Sequence, residues 1–199
     1  MASIVSVEQI QGLAAGSTPN TVTIPTGQKI VASDVGAIKA PGAILQLISV
    51  EATGNYSFNT GSNGTYADVN GLVLNITPKF NNSKIFLTAK IDIAGASGQR
   101  FGLRFTRDGS VPAGSIGGAD GSRTRSHTSG VGQGSNAVDN GGMGMQFLDS
   151  PATTNQVTYK VQVTMEANQQ VVINRSITHA DSNSVYVSLS TLTAMEVAQ

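Results

Sequence analysis

The stretch that most constrains this chain is residues 156–165, which read QVTYKVQVTM. Apolar side chains stand at Val157, Tyr159, Val161, Val163 and Met165, and polar side chains stand at every position between them. Because successive side chains of a β-strand point to opposite faces, this alternation predicts a strand with one buried and one solvated face. Such a long strand needs a second sheet to cover its apolar face. We therefore predict a central strand of a layered β-structure.

Other parts of the chain repeat this alternation. Apolar residues recur at every second position in runs that contain Leu72, Leu74, Ile76 and Phe80; Ile85, Leu87, Ala89, Ile91 and Ile93; Phe101, Leu103 and Phe105; and Met143, Met145 and Phe147. The first two runs flank a polar turn at residues 81–83, which predicts a β-hairpin. Near the C-terminus, the odd-numbered positions from Val185 to Val197 are apolar except for Thr191 and Thr193. This alternation predicts that the odd-numbered residues share the apolar face of the last strand.

These patterns predict about eight strands and no amphipathic helix. We expect an all-β fold, a jelly-roll-like β-sandwich head over residues 43–199. Residues 1–42 carry scattered β-branched residues but too little apolar bulk for a core of their own. They are predicted to form an extended N-terminal arm for attachment and trimerisation, held by other chains. The alternative is an arm laid over its own domain. The candidate attachment residues are Ile4, Val5, Val7, Ile10 and Leu13.

Composition narrows the possible partners. The formal net charge is zero and charged residues make up 12% of the chain, about half the usual share. No basic field is present to attract nucleic acid. Cysteine is absent, which excludes disulfides and thiolate metal sites. No apolar run is long enough to cross a membrane, and no basic region followed by an apolar core indicates a signal peptide, so we expect a soluble protein.

Motifs for catalysis or metal binding are weak. His127 and His179 stand far apart in polar loops and have no cysteine beside them, so they do not form a zinc pattern. Asp120 and Asp139 resemble fragments of calcium loops but lack the full ligand spacing and fit turns better. Glutamate is scarce, which disfavours a paired-carboxylate hydrolase. We expect no enzyme, no cofactor and no metal.

Two loop regions are candidates for surface recognition. Residues 55–66 carry aromatic side chains among Asn, Gly and Thr, and residues 109–142 are rich in glycine. Arg123 and Arg125 point the same way if their segment is extended, where they could meet a carboxylate or a sugar. The favoured alternative is a solvated strand edge that discourages aggregation. The candidate recognition residues are Tyr56, Phe58, Tyr66, Arg123, Arg125 and His127.

Short motifs along nearly the whole chain resemble the fibre-like virion structural proteins of tailed phages of marine, cyanobacterial-type hosts. These motifs lie at residues 8–12 (EQIQG), 16–27 (GSTPNTVTIPTG), 69–72 (VNGL), 76–78 (ITP), 83–85 (SKI), 107–109 (RDG), 147–151 (FLDSP), 158–161 (TYKV) and 194–198 (AMEVA). They are turns and strand ends without a mechanism of their own. The resemblance implies a homotrimer, in which arms wind together below sandwich heads similar to those of the tumour-necrosis-factor class.

Three functions follow as hypotheses. The first is a short trimeric fibre or whisker on a virion, bound to other virion proteins of the tail or capsid and contacting a host surface glycan or protein. The second is a capsid decoration or cement protein whose arm spreads over the shell. The third, which the shortage of paired carboxylates disfavours, is a surface-polysaccharide depolymerase.

Overall fold

The computed structural model describes residues 24–35, 37–132 and 141–199. These residues contain no helix and ten strands, more than the eight that the sequence predicts. In chain order the strands are β1 (Ile44–Ala52), β2 (Tyr56–Phe58), β3 (Ala67–Ile76), β4 (Lys84–Gly95), β5 (Arg100–Arg107), β6 (Thr128–Val131), β7 (Gly141–Asp149), β8 (Val157–Met165), β9 (Val171–Ile173) and β10 (Ser190–Val197).

The strands form two antiparallel sheets. The first sheet has the order β1-β10-β4-β7. The short strand β9 pairs with the C-terminal end of β4, and β2 pairs with β9. The second sheet has the order β3-β8-β5-β6. Without the two short strands, the pairs β1·β10, β3·β8, β4·β7 and β5·β6 are nested within one another, as in a long hairpin rolled into two sheets. This is the topology of a jelly roll, so the predicted fold class is confirmed.

The central strand predicted from the alternating run is β8, which lies between β3 and β5. Its five apolar side chains are at most 3% exposed and face the core between the sheets. The opposite wall of the core comes from alternate residues of β4 in the first sheet. The buried β4 residues are Ile85, Leu87, Ala89, Ile91 and Ile93. The apolar parity predicted for both runs is therefore confirmed.

The predicted hairpin between the runs at 71–80 and 85–93 is wrong. The first run lies in β3 of the second sheet, and the other lies in β4 of the first sheet. Residues 77–83 cross from one sheet to the other. A hairpin would place the two apolar faces side by side, whereas stacking them across the sandwich buries each against the other. Alternation identifies a buried face but does not identify the neighbouring strand.

The predicted parity of the last strand is also wrong. In β10 the even-numbered residues face the core, and the odd-numbered residues Met195 and Val197 face outward. The inward positions include Ala194 and Glu196, which are both fully buried. The Glu196 carboxylate accepts hydrogen bonds from the Gln46 amide and from backbone N–H groups of the 77–83 connection, and these bonds make its burial possible.

The described part of the predicted arm contains no strand. Its apolar side chains are exposed, with Val31 85% and Ile30 64% accessible. Near the head, the Lys39 ammonium lies 4.3 Å from the centroid of the Phe80 ring. The Gly42 N–H donates to the Ala198 carbonyl at 2.9 Å, just before β1 begins. The division into arm and head stays a prediction.

The attachment residues predicted in the arm lie outside the described residues. They are Ile4, Val5, Val7, Ile10 and Leu13.

Candidate functional site

The outer face of the second sheet carries a connected polar network. The cross-strand register places Asp68 of β3, Gln162 of β8 and Arg104 of β5 in one row. The Gln162 amide donates to Asp68 Oδ1 at 2.7 Å, and Arg104 Nε donates to Gln162 Oε1 at 2.8 Å. Lys160 Nζ adds a contact of 2.7 Å to Asp68 Oδ2. Hydrogen bonds from Lys160 and then Gln162 hold the pKa of Asp68 below its usual value.

Tyr66 joins this network to the loop that follows β5. The Arg104 guanidinium lies 3.6 Å from the centroid of the Tyr66 ring, a cation–π contact. The Tyr66 hydroxyl donates to the Arg125 carbonyl at 2.8 Å. Burial raises the pKa of Tyr66, and the positive charge of Arg104 opposes that shift. The loop before β3 and the loop after β5 are thus held together above the sheet.

The loop after β5 is also closed internally. Arg125 Nε donates to the Gly117 carbonyl at 2.6 Å, and the Gly117 N–H donates to the Ser126 carbonyl at 3.1 Å. Nδ1 of His127 lies 2.7 Å from the Ser115 carbonyl oxygen, and its ring packs edge-on against Phe105 at 5.3 Å. These contacts fix the loop's course, and His127 anchors its end at the edge of the core.

Between the two loops lies a cleft of about 400 Å³, which we name the loop cleft. Its floor is one cross-strand row of Thr164, Gly102 and Ser129. A Cβ atom at Gly102 would lie 3.0 Å from Ser126 Cβ and 3.2 Å from Thr164 Cγ2. Glycine at this position therefore lets the Ser126 side chain pack closely against the floor. The remaining lining comes from residues Asn63, Gly64, Arg100, Phe101, Ser122, Arg123, Thr124, Ser126, Met165 and Glu166.

Charged groups stand at the rim of the loop cleft. Arg100 Nη1 lies 2.7 Å from Glu166 Oε1, and the Arg100 N–H donates to Glu166 Oε2 at 3.1 Å. The backbone hydrogen bond from Arg100, together with its side chain, lowers the pKa of Glu166. Arg123 pairs with Asp120 at 3.0 Å. The side chains of both arginines are 74% exposed, so both remain accessible to a ligand.

The structure brings some of the predicted recognition residues together. Arg123 lines the loop cleft, whereas Tyr66 and Arg125 hold its walls. His127 lies outside the loop cleft and lines a second cavity at the open edge of the sandwich.

Two other predicted recognition residues lie elsewhere. Tyr56 and Phe58 belong to β2 and pack, half-buried, against the core. Sequence reasoning missed Arg100, Thr164 and Glu166, which only the sheet register and loop packing bring to the cleft. No spacing along the chain reports such a grouping.

A second polar cluster lies inside the sandwich, at the ends of β5 and β7. The buried Asp149 carboxylate accepts a hydrogen bond from the Tyr159 hydroxyl at 2.6 Å and one from Arg107 at 2.7 Å. Burial and then the hydrogen bond to Asp149 raise the pKa of Tyr159 strongly. Partial burial alone would lower the pKa of Arg107, but Asp149 and Tyr159 together outweigh it and the net shift is upward. The cluster ties the two sheets together.

The outer face of the first sheet differs in chemistry. The register aligns Leu47 of β1, Met195 of β10, Phe86 of β4 and Leu148 of β7 across four strands. We name these four residues the apolar row. Leu47 is 56% exposed and Leu148 is 47% exposed, and no loop of the described residues covers them.

A polar row runs beside the apolar row on the same face. It consists of Ser49, Thr193, Thr88 and Gln146, and the Ser49 and Thr193 hydroxyls lie 2.8 Å apart.

The described residues contain no cluster of three or more His, Asp or Glu side chains that could hold a metal ion. Nor do they contain a helix that is long and apolar enough to cross a membrane.

No family model and no curated protein matches the chain. Similar solved structures come from infectious bursal disease virus. One is the Gx strain, at 12% identity and a TM-score of 0.39, covering 88% of this chain and 43% of that one. Another is a mutant VP2 protein in derived T=1 particles, at 11% identity and a TM-score of 0.41, covering 86% and 41%.

The chain spans about two fifths of the length of these viral chains.

Proposed function

We propose that this protein is a virion structural protein, a short trimeric fibre-like appendage with jelly-roll heads. The motifs that resemble phage fibre-like proteins support this function, and the jelly-roll sandwich has the architecture that the resemblance implies. In this proposal the head presents the loops of the second sheet outward to a host surface. The first sheet faces the partner heads, and the arm attaches the trimer to other virion proteins.

The observation that carries the proposal is the apolar row. Strands are spaced by about 4.8 Å, so a row across four strands is about 15 Å wide. Apolar side chains gathered on one exposed face mark an interaction surface, whereas scattered ones do not. The neighbouring row of hydroxyl and amide side chains supplies the polar rim that surrounds the apolar centre of many interfaces.

A closed trimer makes good use of such a surface. Around a threefold axis each head gives one patch to one neighbour and another patch to the next, and the ring closes without leaving an open interface. The apolar row reaches from β1 to β7 and spans the whole width of the first sheet. Both ends of the row are therefore available to different neighbours. The low charge content of the chain reduces repulsion between heads.

The arm supports attachment to another protein. Ile30, Val31, Val35 and Ile38 are all more than half exposed, so their apolar surfaces are not used by the head. This observation also fits a capsid decoration protein, which is the second candidate function. Copy number distinguishes the two: hundreds of copies per particle indicate a decoration protein, and tens or fewer indicate a tail or vertex fibre.

A depolymerase is less well supported. Two of the buried carboxylates are engaged in hydrogen bonds that hold the fold together, Asp149 with Tyr159 and Arg107, and Glu196 with the 77–83 connection. Neither is placed as a free acid or base beside the loop cleft. We therefore propose a role in binding and assembly.

Deletion of residues 1–40 tests the attachment role. We expect the full chain to co-sediment with virus particles, and the shortened chain to fold as a head that stays in the supernatant. Circular dichroism of the shortened chain checks that it has folded. A shortened chain that still binds particles would contradict the role of the arm. Absence of the full-length chain from purified particles would contradict the virion function itself.

A further inference from the structure

We propose that the loop cleft binds an acidic saccharide, with Arg123 holding the carboxylate and the serine and threonine hydroxyls holding the sugar hydroxyls. This inference rests on the proposed function, because it names the host-surface chemistry that an exposed head would recognise. It assigns a ligand class to a cleft formed by β5, β6, the end of β8 and two loops.

The size of the cleft fits a small ligand. Its volume of about 400 Å³ lies within the range of about 300–1,000 Å³ that is typical of small-molecule sites. Its floor is rigid because three strands of one sheet form it, and its walls are held by the contacts of Tyr66 and Arg125. A bound sugar would therefore meet preformed groups and would not have to order a loose loop.

The hydroxyl groups of the lining are available. Ser122, Thr124 and Ser129 are exposed at the cleft, and their side-chain hydroxyls make no hydrogen bond to another described residue. Each hydroxyl can both donate and accept, which matches the hydroxyls of a sugar. Five of the thirteen lining residues carry a hydroxyl, and this exceeds what a simple anion site would need.

Thr164 adds an unsatisfied group at the floor. Its residue is 4% exposed, and its Oγ1 has no hydrogen-bond partner among the described residues. A buried hydroxyl without a partner is unfavourable. The methyl group of Thr164 lies toward Gly102, and rotation about χ1 can bring the hydroxyl to that position. A ligand hydroxyl that reaches the Thr164 side chain would supply the missing partner.

The free donors of Arg123 favour a carboxylate on the sugar. The lining contains Arg100, Arg123 and Glu166, and Asp120 pairs with Arg123, so the four charges sum to zero. Glu166 contacts the Arg100 guanidinium through Oε1 and accepts from the Arg100 backbone N–H through Oε2. Asp120 contacts Arg123 through Nη1, which leaves the other guanidinium donors for a ligand. The planar guanidinium fork matches a carboxylate.

Other ligands would use the cleft less fully. A neutral sugar would leave the remaining guanidinium donors of Arg123 unused, and a simple anion would leave most hydroxyls unused. An acidic saccharide uses both kinds of group in one molecule.

Titration of the full-length protein with glucuronate, glucose, acetate and inorganic phosphate tests the proposal, with NMR line broadening and isothermal calorimetry as readouts. We expect saturable binding of glucuronate at least about tenfold tighter than that of glucose, acetate or phosphate. The Arg123→Ala variant should weaken glucuronate binding about tenfold, and Ser129→Ala should weaken it by a smaller factor. Lys79→Ala is the matched control, because it removes one exposed positive charge far from the cleft and should change nothing.

Three outcomes would overturn the proposal: no glucuronate binding, equal binding of acetate or phosphate, and equal losses in Arg123→Ala and Lys79→Ala. Its failure is distinguishable from failure of the proposed function. A particle-bound trimer that binds no saccharide refutes only the cleft assignment. A chain absent from particles that still binds glucuronate through Arg123 refutes only the virion function.

Discussion

The two sheets have similar inner faces and different outer faces. Both inner faces are apolar and form one core. Outside, the first sheet presents the apolar row without a covering loop, whereas the second sheet presents a polar network beneath two loops. The inward residues of each strand define the jelly roll, and its outward residues decide what the face can contact. Protein association suits the first face, and a polar ligand suits the second.

The distribution of charge supports this contrast. The chain has few charged residues, and three of the five ion pairs among the described residues lie on the loop side of the second sheet. On the first sheet, Lys90 and Asp92 form a looser pair at 3.8 Å. Exposed pairs contribute little to stability, so this concentration has more bearing on recognition than on folding.

The largest expected effect is on trimer association, when a charge is introduced into the apolar row. Leu47→Asp places a charge in the proposed trimer interface, where burial of an unpaired charge costs several kcal/mol, so trimer association should weaken more than about 100-fold. The matched control is Val73→Asp, which introduces the same charge at an exposed apolar position on the second sheet. Analytical ultracentrifugation should show monomers for Leu47→Asp and trimers for Val73→Asp. Identical behaviour of the two variants would contradict the assignment of the faces.

The next effect compares a buried acid with a surface acid. Glu196→Ala leaves the N–H groups of Lys79 and Phe80 without an acceptor in a buried site, so the free energy of unfolding should fall by about 2–4 kcal/mol. Asp68→Ala removes a partly exposed acid of the second sheet and should cost less than about 1 kcal/mol. Urea unfolding measures both changes. Equal losses would show that Glu196 is less important than its burial indicates.

The smallest effect concerns alkaline pH. Tyr159 keeps its proton in the folded state because burial and Asp149 raise its pKa. A tyrosine in the unfolded chain ionises at about pH 10. The unfolded state therefore binds fewer protons above that pH, and stability falls as pH rises, by up to about 1.4 kcal/mol per pH unit. Tyr159→Phe should remove this part of the slope. Urea unfolding between pH 8 and 11 measures it, and an unchanged slope in the variant would contradict the mechanism.

Sequence patterns predicted the strands better than their arrangement. The run at 156–165 predicted the buried face of β8 because every inward residue is apolar. The RDG motif at residues 107–109, described from the sequence among turns and strand ends, does form a turn, and Asp108 and Gly109 have positive φ values of 49° and 81°. Asp and Gly tolerate this conformation. Such local features need no knowledge of distant strands.

The remaining features depend on distant parts of the chain. Nothing in the sequence of β10 indicates that Ala194 and Glu196 face inward, because the hydrogen bonds that satisfy Glu196 come from residues about 120 and 150 positions earlier. The loop cleft is likewise assembled from segments near residues 63, 100, 123 and 164. Sheet register brings these residues together.

Native mass spectrometry of the full-length chain at low micromolar concentration tests the central proposal most directly. We expect a single species with three times the chain mass of 20.4 kDa, and we expect its mass to stay the same on dilution. A monomer at every concentration would contradict it, because the apolar row would then have no second copy to contact.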